Sequence, residues 1–305
     1  MIKDTQEGTS SIMNEAANGF SIRNKRSRPT DALLRALIYI SAGITVLILV
    51  SILLYIVVRG APQISWEFLS TAPSALKKRY GILPSIINTV YIVVITLAIS
   101  TPIGIGAAVY LTEYAKRGRL VRIIEFTIET LSGIPSIIYG LFGAIFFGTF
   151  LQLGYSIFTG AFTLTIMVLP LIIRTTQEAL KTVPESYREG ALGMGAGKWR
   201  MIRTIILPSS MSGIVTSVIL SVGRIVGESA ALLYTAGSVT NLPQNWLTHP
   251  FSSGATLTVQ MYFAVSNGKY TEQGFGVALV LIVVVLLINA LTKLIAKRGG
   301  AHAQG

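Results

Sequence analysis

The chain has no cysteine, so disulfides and thiol chemistry play no part in it. Its two histidines, His249 and His302, lie too far apart in sequence to form a ligand cluster, and no metal site is expected. Charge is scarce: 12% of the residues are Asp, Glu, Lys or Arg, against about 25% in an ordinary soluble domain. That scarcity, with 51% hydrophobic residues, excludes a large soluble core. The net charge is +12, yet no basic stripe with interleaved aromatics is present, so no nucleic-acid partner is expected. An intact nucleotide loop is also missing. Gly197 and Lys198 imitate the end of a Walker A motif, but Trp199 stands where a hydroxyl must reach magnesium and Leu192 where the first glycine belongs. Gly193, Gly195 and Gly197 likewise fail G-x-G-x-x-G, because Lys198 takes the last position. No Ser/His/Asp set and no carboxylate pair suggests catalysis. The chain reads as a non-enzyme without a cofactor.

What is present is a series of long apolar runs. The expected fold is all-α and polytopic, with six transmembrane helices near 33–58, 85–111, 128–151, 157–173, 210–233 and 274–294, since about 20 apolar residues cross a bilayer. The domain plan is a cytoplasmic tail over 1–30, a membrane domain over 31–298 and a second tail over 299–305. The first thirty residues are too polar for a signal peptide. With both termini inside, nineteen Lys and Arg fall on the cytoplasmic face and five outside, which sets the orientation. The external cluster Lys77, Lys78 and Arg79 runs against that bias. A lipid bilayer is the expected surrounding of these runs.

Within this frame the stretch 182–208 concentrates polar punctuation between two apolar runs. Thr182, Pro184 and Glu185 read as a helix start, Gly193, Gly195 and Gly197 as a turn, and 198–206 as a second short helix closed by Pro208. A stiff cytoplasmic knob of this kind can fit a groove on a partner. In the fifth run, Arg224 and Glu228 are four residues apart and are expected to share a helix face near mid-bilayer. A guanidinium partly compensated by a carboxylate suits brief visits by an oxyanion, although a purely structural intrahelical pair fits the same spacing. Arg174, near the inner end of the fourth run, is a second candidate for the substrate path. Gly223 and Gly227 make a small-xxx-small stripe for close helix approach, and Gly133 with Pro135 marks a break or kink in the third run.

Glu189, Gly190 and Ala191, then Gly195, then Ile205, Leu207 and Pro208, carry the spacing of the coupling-loop signature of ABC importer permeases. Gly190 stands where that pattern has Ala. The runs PIGIGAAVYLTEYA (102–115), GIPSIIYGLFG (133–143) and GRIVGESAALLYTAG (223–237) resemble phosphate ABC importer permeases, the PstA type more than the PstC type. Ala231 departs from the Pro often found there. The resemblance implies a type I importer permease fold, docking of 182–208 on an ATP-binding subunit, and phosphate import. The implied partners are a PstC-like sister permease, a dimer of PstB-like ATPases and a phosphate-binding protein. Two alternatives stay open: a permease for another oxyanion such as sulfate or molybdate, and a secondary phosphate transporter driven by an ion gradient.

Overall fold

The computed structural model describes residues 29–74, 79–116, 118–268 and 270–301. The tail expected over 1–30 lies outside them up to residue 28, as do Lys77 and Lys78 of the external basic cluster, Arg117, Lys269, and residues 302–305 with His302. The described residues are almost entirely helical. Four helices among them are long and apolar enough to cross a membrane, and the total is six if each of two sharply bent pairs counts as one crossing.

The first helix, α1, is Pro29–Gly60. Its residues up to 55 belong to a contact unit of their own. From Leu33 to Tyr55 every side chain is exposed and most are apolar, the surface of a helix that lipid can solvate. Inside it Thr45 returns its hydroxyl to the carbonyl of Ser41 at 2.8 Å, so this polar side chain costs the helix nothing in hydrocarbon.

Residues 56–305 form the second unit. Helix α2 (Leu83–Val109) continues through Pro102 and ends in a π turn, Tyr110–Tyr114. It packs along α5 (Ile157–Lys181), which packs in turn on α8 (Met211–Gly227). The central apolar cluster comes from these helices: Ile92 and Val93 of α2, Leu164, Met167, Val168 and Ile172 of α5, and Val222, Ile225 and Val226 of α8. A second cluster gathers beside the 182–208 loop around Leu111, Leu180, Met201, Ile202 and Ile206. A third joins Phe68, Ile82, Leu257 and Val277.

The break or kink expected at Gly133 and Pro135 in the third run is a full change of direction, and the structure corrects other expectations. Helix α3 (Arg119–Ser132) and helix α4 (Ser136–Gly143, continued as a π segment to Phe150) meet at 101°. Pro135 has no N–H to give and keeps Ile134 out of helical geometry, so Gly133–Pro135 breaks the chain direction outright. At Gly140 a side chain would press on the backbone of Ala231 in α9 (Ala230–Thr235), so glycine is what lets α4 and α9 lie together.

The connection after α9, expected to be external loop, folds back in part. Thr256 caps α10 (Leu257–Ser266) by accepting the Val259 N–H, and Leu257, Val259 and Gln260 are buried. Thr182 is no helix cap either. It terminates α5, with its hydroxyl donating to the Ala179 carbonyl, and the next helix, α6 (Glu185–Gly193), begins after Pro184. Nor does Pro208 close the run before it. Helix α7 (Lys198–Met201) widens into a π turn over Ile202–Ile206 and then continues to Ser209. The wider turn gives the Pro208 ring room against the preceding carbonyls. The direction changes by 67° only at Ser210, before α8. The last helix, α11, is Thr271–Ala301 and takes in residues expected to be tail.

Candidate functional site

The loop 182–208 folds as two short helices on a shared apolar base. Gly195 has φ +79°, the left-handed region that ends α6 with two reversed bonds, Gly195 N–H to Leu192 O and Ala196 N–H to Ala191 O. Ala191 is the one residue of α6 that is buried, and it joins Met201, Ile202 and Ile206 in the loop-end cluster. Ile205 and Leu207 pack against the same cluster, and Pro208 is half-buried. On the opposite side Glu189 and Gly190 are exposed, as are Tyr187, Leu192, Met194 and Trp199. Open space surrounds Gly190, so an alanine there would meet nothing in this chain. The knob therefore exposes apolar side chains together with acidic ones on α6 and basic ones, Lys198, Arg200 and Arg203, on and after α7.

One residue that sequence reasoning passed over fixes the knob. Arg188 of α6 has its guanidinium 13% exposed, facing the Glu113 carboxylate at 4%. It donates to Glu113 Oε1 from Nη2 at 2.9 Å, and its Nε lies 3.3 and 3.4 Å from the two Glu113 oxygens. It also donates to the Val183 and Leu180 carbonyls at 2.8 and 3.0 Å, and to Glu185 at 3.2 Å. The Glu113 hydrogen bond, opposed by burial, holds the Arg188 pKa above its ordinary value. Close by, Lys198 Nζ of α7 sits 5.2 Å from the centre of the Tyr114 ring. The signal was the adjacency of Glu113 and Tyr114 in an otherwise apolar run, which no local periodicity tied to residue 188 or 198.

The second part of the site lies around the break after α8. Arg224 and Glu228 do not share a helix face, because α8 ends at Gly227 and Glu228 is extended (φ −79°, ψ 124°). The break keeps its polar groups satisfied. Glu228 Oε1 accepts the Ala231 N–H at 3.1 Å, and the Glu228 carbonyl accepts the Thr258 hydroxyl at 2.9 Å. Ala231, where the resembled permeases often have Pro, thus supplies the N–H that holds this carboxylate. Arg224 is exposed and has no hydrogen bond or ion pair with any described residue. In α4 the Tyr139 hydroxyl donates to Leu131 O at 2.7 Å across the 101° bend.

The exposed stripe of α8 reads Ser212, Thr216, Leu220, Gly223, Arg224 and Gly227, at helical spacing. A side chain added at Gly223 or Gly227 would meet nothing within 4 Å. This face is mostly small or polar, with Leu220 the apolar exception, and it is exposed among the described residues. Arg174 is placed elsewhere: it donates to Glu129 Oε2 of α3 at 3.1 Å with its side chain 45% exposed. Gly133 and Pro135 form the α3–α4 bend, away from the α8 stripe in sequence. Among the described residues no group of His, Asp and Glu could hold a metal ion.

Residues 100–299 match the family model described as "Binding-protein-dependent transport system inner membrane component". The chain is 37% identical over 230 residues to "Probable ABC transporter permease protein YqgI" of Bacillus subtilis (strain 168), covering 75% of this chain and 78% of that one. It is 32% identical over 264 residues to "Phosphate transport system permease protein PstA" of Haemophilus influenzae, covering 87% and 93%. In fold it is similar to a chain of a bacterial alginate ABC transporter solved with its pentasaccharide-bound periplasmic protein. That likeness has a TM-score of 0.65 and 14% identity, over 91% of this chain and 98% of that one.

Proposed function

The chain belongs to the family of binding-protein-dependent transport inner membrane components, and from that premise we propose that it forms half of the translocation path of an ATP-driven phosphate importer. It is a multi-pass plasma-membrane protein and a permease subunit, with work supplied by a separate ATPase and substrate by a separate binding protein. Phosphate is the substrate we assign, on the likeness to PstA over nearly the whole of both chains. The orientation we assign has both termini inside and 182–208 in the cytoplasm, docked on a PstB-like ATPase through Glu189 and the exposed apolar side chains of the knob. Gly195, Ile205, Leu207 and Pro208 shape the knob rather than touch the ATPase.

The observation that carries the reading is the exposed face of α8. A lone guanidinium on a stripe of small residues is costly in hydrocarbon unless it lines a water-filled path or meets another protein. A PstC-like sister permease laid along Gly223 and Gly227 would leave Arg224 at the seam, where phosphate passes. Glu228, pinned to the Ala231 N–H just past the end of α8, limits how tightly an anion can rest there. Arg174, paired to Glu129, is in our reading a contact phosphate meets only when that pair opens.

Radiolabelled phosphate uptake into proteoliposomes holding the permease pair, the ATPase and the binding protein tests this. Uptake should require ATP and persist under excess sulfate or molybdate. Arg224→Gln should cut it by about tenfold or more with the complex intact. Displacement of phosphate by sulfate would overturn the substrate assignment, and uptake driven by an ion gradient without ATP would overturn the mechanism.

A further inference from the structure

The π turn Tyr110–Tyr114 at the end of α2 touches both short helices of the knob, and by different chemistry. Glu113 receives Arg188 of α6 with a 2.9 Å hydrogen bond, and the Tyr114 ring lies 5.2 Å beneath the Lys198 ammonium of α7. Neither Glu113 nor Tyr114 belongs to the knob. They lie about seventy residues earlier, in a helix the knob does not adjoin in sequence.

Packing alone gives little reason for the arrangement. The cluster around the pair is apolar, and a well-packed apolar residue pair of similar volume would stabilise a buried site as well as an ion pair does. What the ion pair adds is direction. Helix α6 buries a single side chain, Ala191, so apolar contact gives it one pivot. Arg188 supplies the other restraints, because one rigid fork reaches the α2 end through Glu113 and the α5 end through the Leu180 and Val183 carbonyls. The planar guanidinium fixes angles as well as distances. A push on the exposed face of α6 is therefore shared by α2 and α5. Without the fork, α6 would rock on Ala191 and the push would be lost.

We infer that Glu113 and Arg188 are positioning residues for energy coupling, a clamp that binds α2 to the knob so that three helices, rather than the two adjoining the loop, follow the ATPase. This rests on the reading of the chain as an ATP-driven permease. The π turn suits the task, since a turn with one residue too many can take up or release that residue as the helix end shifts.

The test compares Glu113→Gln, Arg188→Lys and the control Glu185→Gln in the assembled complex, with ATP hydrolysis and phosphate uptake measured in the same proteoliposomes. Glu113→Gln and Arg188→Lys should lower phosphate moved per ATP by about tenfold while hydrolysis continues, since Gln removes one charge of the buried pair and Lys removes the planar fork. Glu185→Gln should change the ratio little, because the Glu185 side chain is 72% exposed. Glu113→Gln combined with Arg188→Lys should be no worse than the poorer single variant. An unchanged ratio, or a proportional fall in hydrolysis and uptake, would overturn the clamp. Amide hydrogen exchange on the purified chain in nanodiscs decides the matter apart from transport. Protection over 185–193 should fall in Glu113→Gln, and equal protection in wild type and variant would sink the clamp. A wild-type complex that hydrolyses ATP without moving phosphate would sink the functional reading instead.

Discussion

At the scale of single residues, polar side chains do different work according to their partners. His249 drew attention in the sequence only as one of two histidines. In the structure its Nε2 lies 2.8 Å from Asn88 Oδ1, while Asn88 Nδ2 donates to the Ala255 carbonyl at 3.1 Å. An amide oxygen only accepts, so the imidazole carries its proton on Nε2, and Nδ1 faces the Ser252 hydroxyl at 3.2 Å. All these partners are neutral, and burial lowers the His249 pKa below 6.5. The folded protein therefore binds fewer protons here than the unfolded chain, so this contribution to stability is complete above pH about 6.5 and declines as pH falls toward the lowered value. Hydrogen exchange over 245–256 should show the segment loosening on acidification from pH 7 to pH 5, with the dependence flattened in His249→Gln. Unchanged exchange across that range would show that the imidazole does not anchor the segment. Such pairing is invisible along the sequence because Asn88 and His249 are 161 residues apart. The same distance in sequence hid Glu113 from Arg188, whereas Arg224 stood out by itself as a charge inside an apolar run.

At the scale of elements, helices that run unbroken were legible and those that break were only partly so. Long apolar runs placed α2 to within a few residues and the starts of α5 and α11, because a bilayer-length helix has one solution for its backbone groups, but α5 and α11 run on past their expected ends to Lys181 and Ala301. Pro135 announced its break, but not that the chain would turn by 101°. The end of α8 at Gly227 had no proline to announce it. It depends on Thr258 and the Ala231 N–H reaching Glu228 from elsewhere, so the spacing of Arg224 and Glu228 suggested a shared face that the fold does not make. Gly195, by contrast, was readable as a turn and has the positive φ that favours glycine. Gly195→Val should cost about 1–2 kcal/mol locally and misalign α6 against α7. We expect normal membrane insertion with weakened ATPase binding, measured by pull-down of the ATPase on detergent-solubilised permease. Glu189→Lys should weaken the same binding through surface charge alone, with the knob's exchange protection unchanged. A Gly195→Val variant that binds the ATPase as wild type does would show that the turn has no part in presenting the docking face.

At the scale of the whole molecule, scarce charge and long apolar runs already pointed to a membrane chain, and the family assignment agrees. What one chain cannot reveal about itself is its missing half, and the α8 stripe is where that shows most plainly. Gly223 and Gly227 open onto empty space in this chain, so nothing internal requires glycine at either position. Helical glycine carries a cost of roughly 0.5–1 kcal/mol relative to alanine. If the chain acted alone, Gly223→Ala and Gly227→Val should therefore be neutral or slightly stabilising. If a sister permease lies along the stripe, the same changes push two helices apart where close approach was needed. We expect Gly227→Val to leave insertion and thermal stability of the isolated chain at or above wild type. Recovery of the permease pair by affinity purification should drop by about tenfold, in line with the loss of a small-residue contact at the centre of an interface. Gly190→Ala serves as the matched control, because that position also faces open space but lies on the knob. It should leave pairing untouched. Full recovery of the pair with Gly227→Val would place the sister elsewhere and leave Arg224 facing lipid, a position where an uncompensated guanidinium has no stable account.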